Sequence, residues 1–240
     1  MTVLVVGASG ATGSLVVESL LDKGEVVSII VRSLSNLPRK IIEHDNVVIT
    51  LASILDMSDA ELKSHVRGCR AVVSCLGHNL SFKGLFGHPR RLVTSAVYRL
   101  CLAIESVKPC YPIKFILMNT TGNQDVLAGE VVSKSERFVI TLIRWLLPPH
   151  ADNEKAARYL QSSISKDDSL IEWVVVRPDG LVNEDKVSRY DIYPSPVRSA
   201  IFDAGKTSRI NVADFMVQLI SDYHLWDEWK TKMPVIYNAN

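Results

Sequence analysis

Short runs of apolar, mostly β-branched residues recur along the chain and predict the strands of a buried sheet. They lie at residues 3–6, 26–31, 47–51, 71–75, 115–118 and 173–176. Each run is almost continuously apolar, which is typical of parallel strands covered on both faces. Amphipathic stretches of helical length accompany them, at residues 12–22, 58–66, 91–106, 133–146 and 153–162. Because strands and helices alternate, we predict a doubly wound α/β fold with a mostly parallel sheet flanked by helices.

Two stretches interrupt this alternation, at residues 77–89 and 179–206, where glycine, proline and polar residues follow no clear period. In an open α/β sheet, ligands bind in the crevice outside the carboxyl ends of the strands. We therefore expect both stretches to border a substrate pocket, with residues 179–206 forming a small lobe on its substrate side. No repeat or linker composition divides the chain, so residues 1–240 are expected to form one domain.

Local signals predict several helix ends. Ser58 with Glu61 three residues later forms a capping-box pattern. Asn211 is expected to cap a helix over residues 212–220. The pair Pro148-Pro149 is expected mainly to end the apolar helix before it.

Composition and charge exclude some classes of partner. Hydrophobic residues make up 47% and charged residues 22%, which is typical of a globular protein. The net charge of +1 gives no field that attracts nucleic acid or an anionic membrane, so neither is expected as a partner. The apolar residues 138–149 are too few to span a bilayer and include Arg144, which favours a core or interface helix.

The amino-terminal residues and the cysteines predict a cytoplasmic protein without a metal site. Residues 2–6 lead directly into a glycine-rich turn and form no secretory signal. The four cysteines have no spacing that is typical of a zinc site. We expect reduced, buried thiols at Cys69, Cys75, Cys101 and Cys110.

The first predicted strand is followed by the segment Gly7-Ala8-Ser9-Gly10-Ala11-Thr12-Gly13 and then by a helix. A glycine-rich turn in this context is typical of the dinucleotide-binding loop of Rossmann folds. Gly7 permits a sharp exit from the strand, Gly10 lets the backbone approach a pyrophosphate, and Gly13 lets the helix pack close to the sheet. The amides from Ser9 to Thr12 then face the phosphates at a positive helix end. The alternative is a structural turn without a ligand.

The end of the second predicted strand indicates which dinucleotide would bind. An NAD-binding protein usually has an acidic residue here that accepts hydrogen bonds from the ribose hydroxyls, but the chain reads Ile30-Val31-Arg32-Ser33. A guanidinium at Arg32 suits a 2′-phosphate, and Ser33 offers a further hydroxyl donor. We therefore expect NADP(H) in preference to NAD(H), the alternative being a solvated arginine at a strand end.

With the glycine loop and Arg32, the chain resembles the atypical short-chain dehydrogenase/reductase group, in its NmrA-like, NAD(P)-binding branch. Further matching segments follow in order at residues 51–56, 71–77, 115–122, 174–180 and 210–214. They cover almost the whole chain and include the group's Arg-Pro turn. The resemblance implies further cofactor contacts at Ser53, Leu76, Gly77 and Pro178.

The chain departs from this group at the residues that carry its chemistry. Ser53 replaces the aspartate on the adenine side. Where catalytic members have a serine after the fifth strand, the chain has Asn119 and Thr120. Where they have Tyr-x-x-x-Lys, it reads Pro149-His150-Ala151-Asp152-Asn153. The tyrosine donates the proton and the lysine lowers its pKa, so standard carbonyl reduction lacks its acid.

Three nearby residues are candidates for catalysis. Thr120 has a hydroxyl for a substrate carbonyl, His150 can transfer a proton near neutral pH, and Asn153 can hold a ribose hydroxyl. The alternative for His150 is a surface or capping role.

Two functions fit these residues. The first is an NADPH-dependent oxidoreductase that acts on a small carbonyl, quinone or related acceptor, because quinones and flavins need less acid assistance than ketones. The second is a non-catalytic, NmrA-like protein that binds NADP(H), senses its redox state and reports it to a partner protein. The first implies a small-molecule substrate, and both are compatible with a homo-oligomer.

Overall fold

The computed structural model of the protein describes residues 1–78, 89–130, 135, 139–142, 144 and 147–239. The strands are β1 (Thr2–Val6), β2 (Val27–Val31), β3 (Val47–Leu51), β4 (Cys69–Ser74), β5 (Ile113–Met118), β6 (Ile171–Pro178), β7 (Gly180–Val182), β8 (Tyr190–Tyr193), β9 (Lys206–Ser208) and β10 (Val235–Asn238). The helices with described bounds are α1 (Ala11–Asp22), α2 (Arg39–Ile42), α3 (Asp59–Val66), α4 (Leu92–Val107), α5 (Pro148–Ser163), α6 (Arg209–Ser221) and α7 (Tyr223–Trp229).

Eight strands form one twisted sheet in the order β3-β2-β1-β4-β5-β6-β10-β8. Neighbouring strands are parallel from β3 to β10, and only β8 joins the sheet antiparallel, at its edge. The chain order reverses between β1 and β4, which is the switch point where such sheets bind ligands. The predicted doubly wound Rossmann fold is confirmed.

Apolar side chains cover both faces of the sheet. On one face α1, α6 and α7 pack against the strands, with Val16, Leu20 and Phe215 at most 1% exposed. On the other face α3, α4 and α5 pack in the same way, with Leu100 and Leu160 fully buried. Each such side chain contributes about 1.5–3 kcal/mol by leaving water.

The expectation of complete burial is wrong for the edge strand β3. Val48 is 56% exposed and Leu51 is 61% exposed, because no helix covers this side of an edge strand completely.

The substrate lobe, residues 179–206, has more regular structure than the sequence predicts. β7 pairs in parallel with β9, and β8 pairs with β10 of the main sheet. Strands of three or four residues are too short to show a period, so a pattern search cannot find them.

The structure confirms one predicted helix end and corrects two others. The capping box of Ser58 and Glu61 is present at the start of α3. Asn211 is not a cap, because α6 begins at Arg209 and the hydroxyl of Ser208 accepts from the Asn211 amide. The prolines begin a helix, since Pro148 and Pro149 occupy the first turn of α5, where a missing N–H costs nothing.

The cysteine expectation holds only in part. Cys69 and Cys101 are buried and Cys75 is half-buried, but Cys110 is exposed. All four have free thiols.

Among the described residues no helix is long and apolar enough to cross a membrane. The same residues contain no cluster of side chains that could hold a metal ion. The predicted helix at residues 133–146 and the loop at residues 77–89 lie partly outside the described residues.

Candidate cofactor and substrate site

The glycine loop folds tightly against β4. Gly7 has a φ angle of +79°, and a Cβ atom there would lie 2.5 Å from the carbonyl carbon of Cys75. A Cβ atom on Gly13 would overlap the carbonyl oxygen of Gly7. At Gly10 the nearest atom to a Cβ would be that same oxygen at 3.2 Å. Packing of the chain therefore demands glycine at the first and third positions, whereas a Cβ atom on Gly10 would make a single tight contact that a small shift of the backbone could relieve.

The start of α1 presents amides that have no helical acceptor. Gly10 is the N-cap residue and offers no side chain, and the first intrahelical bond runs from the Ser14 amide to the Gly10 carbonyl. The amides of Ala11, Thr12 and Gly13 are therefore available to an anion at the positive helix end. No acidic side chain stands in this first turn.

A cavity of about 180 Å³ opens beside this helix end, between the carboxyl ends of β1, β2, β3 and β4. Predicted cofactor residues line much of it: Gly7, Ser9, Gly10, Arg32, Ser53, Leu76 and Gly77. Ala11, Thr12 and Gly13 lie in the adjoining helical turn. Pro178 lies at the end of β6, where its carbonyl accepts from the Thr121 amide, and it does not border this cavity.

Arg32 reaches the cavity with an uncommitted charge. Its side chain is exposed, and among the described residues it makes no ion pair or hydrogen bond. Ser33 turns away into a local bend, where its hydroxyl accepts from the Ser35 amide at 3.1 Å. Asn36, which sequence reasoning missed, lines the cavity instead.

Arg99 of α4 fixes the turn that carries Ser53. Its guanidinium donates to the carbonyls of Ile54 and Leu55, at 3.0 and 2.9 Å, and to the carbonyl of Met57. The turn that carries Ser53 is thus held by a side chain of α4.

The three candidate catalytic residues come together beyond β5. A Cβ atom on Gly122 would lie 3.0 Å from Cε1 of His150 and 3.9 Å from Oγ1 of Thr120, so both side chains flank this glycine. The side-chain amide of Asn119 donates to the carbonyl of Asn153 at 2.9 Å. Helix α5 is therefore bonded to the loop that follows β5.

Two buried polar atoms on α5 have no partner among the described residues. They are Nε2 of His150 and Oδ1 of Asn153, three positions apart and thus on one face of the helix. Burial lowers the pKa of His150, so its imidazole is neutral at neutral pH. A buried polar atom left without a partner costs about 1–3 kcal/mol, so both atoms are candidates for hydrogen bonds to a bound ligand.

A second cavity of about 430 Å³ lies on the same side of the sheet, between the loop after β5 and the substrate lobe. Its lining includes Thr121, Gly122, Glu130, Ile140 and residues 195–201. Its lining combines polar and apolar side chains, and its volume suits a small organic molecule.

A buried ion pair lies between β6 and the loop after β5, next to the lobe. Arg177 of β6 is fully buried and donates to both carboxylate oxygens of Glu130, at 2.6 and 2.8 Å. It also donates to the carbonyls of Asn123, Met233 and Pro194. Arg177 therefore joins the loop after β5, the substrate lobe and the segment before β10.

Sequence reasoning missed Arg99, Glu130, His78 and Asp152. Nε2 of His78 lies 2.8 Å from Oδ2 of Asp152, although 74 positions separate the two residues. Neither residue belongs to a local motif, and no spacing rule connects positions so far apart.

Comparisons with known proteins agree with this geometry. The sequence matches a protein family described as NAD(P)H-binding over residues 7–223. No curated protein matches the chain.

Solved structures with similar folds cover the whole chain. A short-chain dehydrogenase/reductase from Veillonella parvula DSM 2008 in complex with NADP has 16% identity, a TM-score of 0.69 and 95% of its own length covered. ChuY, an anaerobillin reductase from Escherichia coli O157:H7, has 15% identity, a TM-score of 0.69 and 98% covered. A proposed NADH-flavin reductase from Streptococcus pneumoniae TIGR4 has 14% identity, a TM-score of 0.67 and 100% covered. At these identities the likeness shows the fold alone.

The predicted NAD(P)-binding family is thus confirmed, and the fold is similar to that of solved short-chain dehydrogenases/reductases. Because the family match spans most of the chain and begins at the glycine loop, the chain belongs to the NAD(P)H-binding family.

Proposed function

We propose that the protein is an NADP(H)-dependent oxidoreductase of the atypical short-chain group, with a small carbonyl, quinone or related compound as the acceptor. The observation that carries the proposal is the pair of unpartnered buried atoms on His150 and Asn153, in the same part of the structure as a second, substrate-sized cavity. A protein that only senses the cofactor needs neither feature.

The residues present fit NADP(H). The free amides of the first turn of α1 and the exposed backbone of Gly10 at the cavity wall suit the pyrophosphate. The uncommitted guanidinium of Arg32 suits the 2′-phosphate of NADP(H) and gives no acceptor for the ribose hydroxyls of NAD(H). Oδ1 of Asn153 is a free acceptor for a ribose hydroxyl.

The bound cofactor supplies a hydride to the acceptor. A reduced carbonyl also needs a proton, and His150 and Thr120 are the candidate donors. Since burial lowers the pKa of His150, its protonated form is scarce at neutral pH and assists a ketone weakly. Acceptors that need little acid assistance, such as quinones and flavins, are therefore the favoured substrates.

The proposal is tested by mixing the purified protein with NADPH and a panel of quinones, flavins and aldehydes, and following nicotinamide absorbance. We expect oxidation in proportion to protein concentration, faster with quinones or flavins than with aldehydes at neutral pH. Aldehyde reduction should rise as the pH falls and His150 becomes protonated, and His150→Gln should remove that rise. Tight NADPH binding without oxidation across the panel would contradict the proposal and support an NADP(H)-sensing, regulatory role.

A further inference from the structure

A buried histidine and carboxylate meet beside the proposed cofactor cavity. Nε2 of His78 lies 2.8 Å from Oδ2 of Asp152, and the two side chains are 6% and 1% exposed. The proposed reaction uses neither group. Burying a carboxylate is costly unless its remaining hydrogen bonds are satisfied.

Asp152 satisfies them by capping another helix. Its Oδ2 accepts from the Val93 amide at 2.8 Å, its Oδ1 accepts from the Thr94 amide at 3.1 Å, and its carbonyl accepts from the Thr94 hydroxyl at 2.9 Å. The N-cap residue of α4, Arg91, makes no side-chain capping bond. The carboxylate on α5 therefore serves as the cap of α4.

These contacts join the two sides of the ligand crevice. Gly77, next to His78, and Leu92, next to Val93, both line the cofactor cavity. On α5, Asp152 lies between His150 and Asn153, whose buried polar atoms lack partners. One carboxylate thus ties the wall of the cofactor cavity to the helix that carries the candidate catalytic residues.

The strand order indicates which half of the cofactor would lie beside the contact between His78 and Asp152. Arg32 at the end of β2 marks the adenosine end, and the sheet continues from β2 through β1 and β4 to β5. A dinucleotide crosses the switch point between β1 and β4, so its other half extends towards the ends of β4 and β5. His78 follows β4, and α5 is bonded to the loop after β5.

We propose that His78 and Asp152 are a positioning pair for the nicotinamide half of NADP(H), an inference that rests on the proposed function. The pair fixes Gly77 and His78, which follow β4, relative to α5, and thereby holds His150 and Asn153 at a set distance from the bound ring. It touches neither the adenosine end nor Arg32.

The test compares two ligands: NADPH, which fills both halves of the site, and 2′,5′-ADP, which fills only the adenosine half. His78→Leu removes the tie but leaves Asp152 as the cap of α4. We expect NADPH to bind about fivefold more weakly to this variant, while affinity for 2′,5′-ADP stays within about twofold of wild type. His78→Gln keeps a donor for Asp152 and should restore NADPH affinity to within about threefold.

Turnover gives a second measure. With the best acceptor of the panel, kcat of His78→Leu should fall by roughly 10–100-fold, because small misplacements of reacting groups are costly. Asp152→Asn should show the same pattern with a lower melting temperature. Arg158→Gln, which removes an exposed charge from the outer face of α5, is the matched control and should behave as wild type.

Equal weakening of both ligands in His78→Leu, or no change in either, would overturn the positioning role. If none of the acceptors in the panel leads to oxidation of NADPH by the wild-type protein, the proposed function fails. The affinities for NADPH and 2′,5′-ADP still decide whether the pair positions the nicotinamide half. Failure of the wild-type protein to bind either ligand would overturn both proposals.

Discussion

At the scale of single residues, the glycine loop separates positions that the fold requires from one that a ligand requires. Gly7 and Gly13 have no room for a side chain, because the backbone of Cys75 and of Gly7 itself fills the space. Gly10 adopts an extended backbone that any residue can take, lines the cavity, and would bring a Cβ atom into only one tight contact. The same motif thus contains two different physical constraints.

Gly13→Ala should therefore mainly reduce stability, and Gly10→Ala should mainly weaken NADPH binding. We expect Gly13→Ala to lower the free energy of unfolding by at least about 2 kcal/mol, because its Cβ meets backbone that cannot move freely. Gly10→Ala should change stability by less than about 1 kcal/mol but weaken NADPH binding. Denaturant unfolding and calorimetric titration measure the two effects, and unaltered NADPH affinity in Gly10→Ala would contradict the proposed phosphate site.

Arg32→Ala tests the choice of cofactor. The loss of a charge-assisted contact to the 2′-phosphate should weaken NADP(H) by roughly 10–100-fold and leave NAD(H) nearly unchanged. Arg67→Ala, which removes an exposed arginine at the end of α3, controls for the change in net charge. Equal weakening of both cofactors would show that Arg32 does not contact the 2′-phosphate.

His150 should make stability depend on pH. Burial lowers its pKa in the folded protein below the unfolded value of about 6.5, so the unfolded chain binds more protons as the pH falls. The contribution of the neutral, buried ring is complete above about pH 6.5 and is lost as the pH falls towards the folded pKa. The free energy of unfolding of wild type relative to His150→Gln should therefore decrease on acidification, as measured by urea unfolding. A constant difference would indicate that the ring is not buried in solution.

Residues close together in the sequence were the predictable part of the site. The glycine loop and Arg32 follow strands that the apolar pattern reveals, so their place at one edge of the sheet follows from the fold class. His78 with Asp152, and Glu130 with Arg177, are separated by 74 and 47 positions. Their contacts depend on how loops and helices pack, which no local pattern encodes.

At the scale of elements, long apolar strands and amphipathic helices were found from the sequence to within a few residues, and short or unusual ones were not. β7, β8 and β9 have three or four residues each. The helix α5 was predicted five residues too late, because its first turn contains the proline pair. A proline can follow the end of one helix or occupy the first turn of the next. The proline pair alone therefore does not indicate which of the two occurs.

The ion pair between β6 and the loop after β5, which adjoin the substrate lobe, should contribute strongly to the stability of the folded chain. Arg177→Met leaves the carboxylate of Glu130 buried without its cation, and we expect a loss of about 3–5 kcal/mol in the free energy of unfolding. Glu130→Gln keeps an acceptor and should cost less. Arg198→Gln breaks an exposed pair with Asp203 in the same lobe and should change stability by less than about 1 kcal/mol. Similar losses in the free energy of unfolding in all three variants would show that burial of an ion pair does not determine how much its removal destabilises the protein.

At the scale of the whole molecule, the crevice is built from loops that leave neighbouring strands of one sheet. Cofactor binding therefore restrains segments that are distant in the sequence, and it adds to the stability of the entire fold. At an NADP concentration of 100 times its Kd, the free energy of unfolding should rise by about 2.7 kcal/mol. Thermal unfolding with increasing NADP measures this, and a melting temperature independent of NADP would contradict specific binding to the folded chain.

The position of β10 has a consequence for the order in which the protein is assembled during synthesis. β8 joins the main sheet only through β10, which pairs with β6 on its other side. Strands β1 to β4, whose carboxyl ends border the cofactor cavity, can pair before residues 235–238 leave the ribosome, but β8 cannot join the sheet until then. The nucleotide crevice should thus form on the nascent chain before β10 is available to pair with β8.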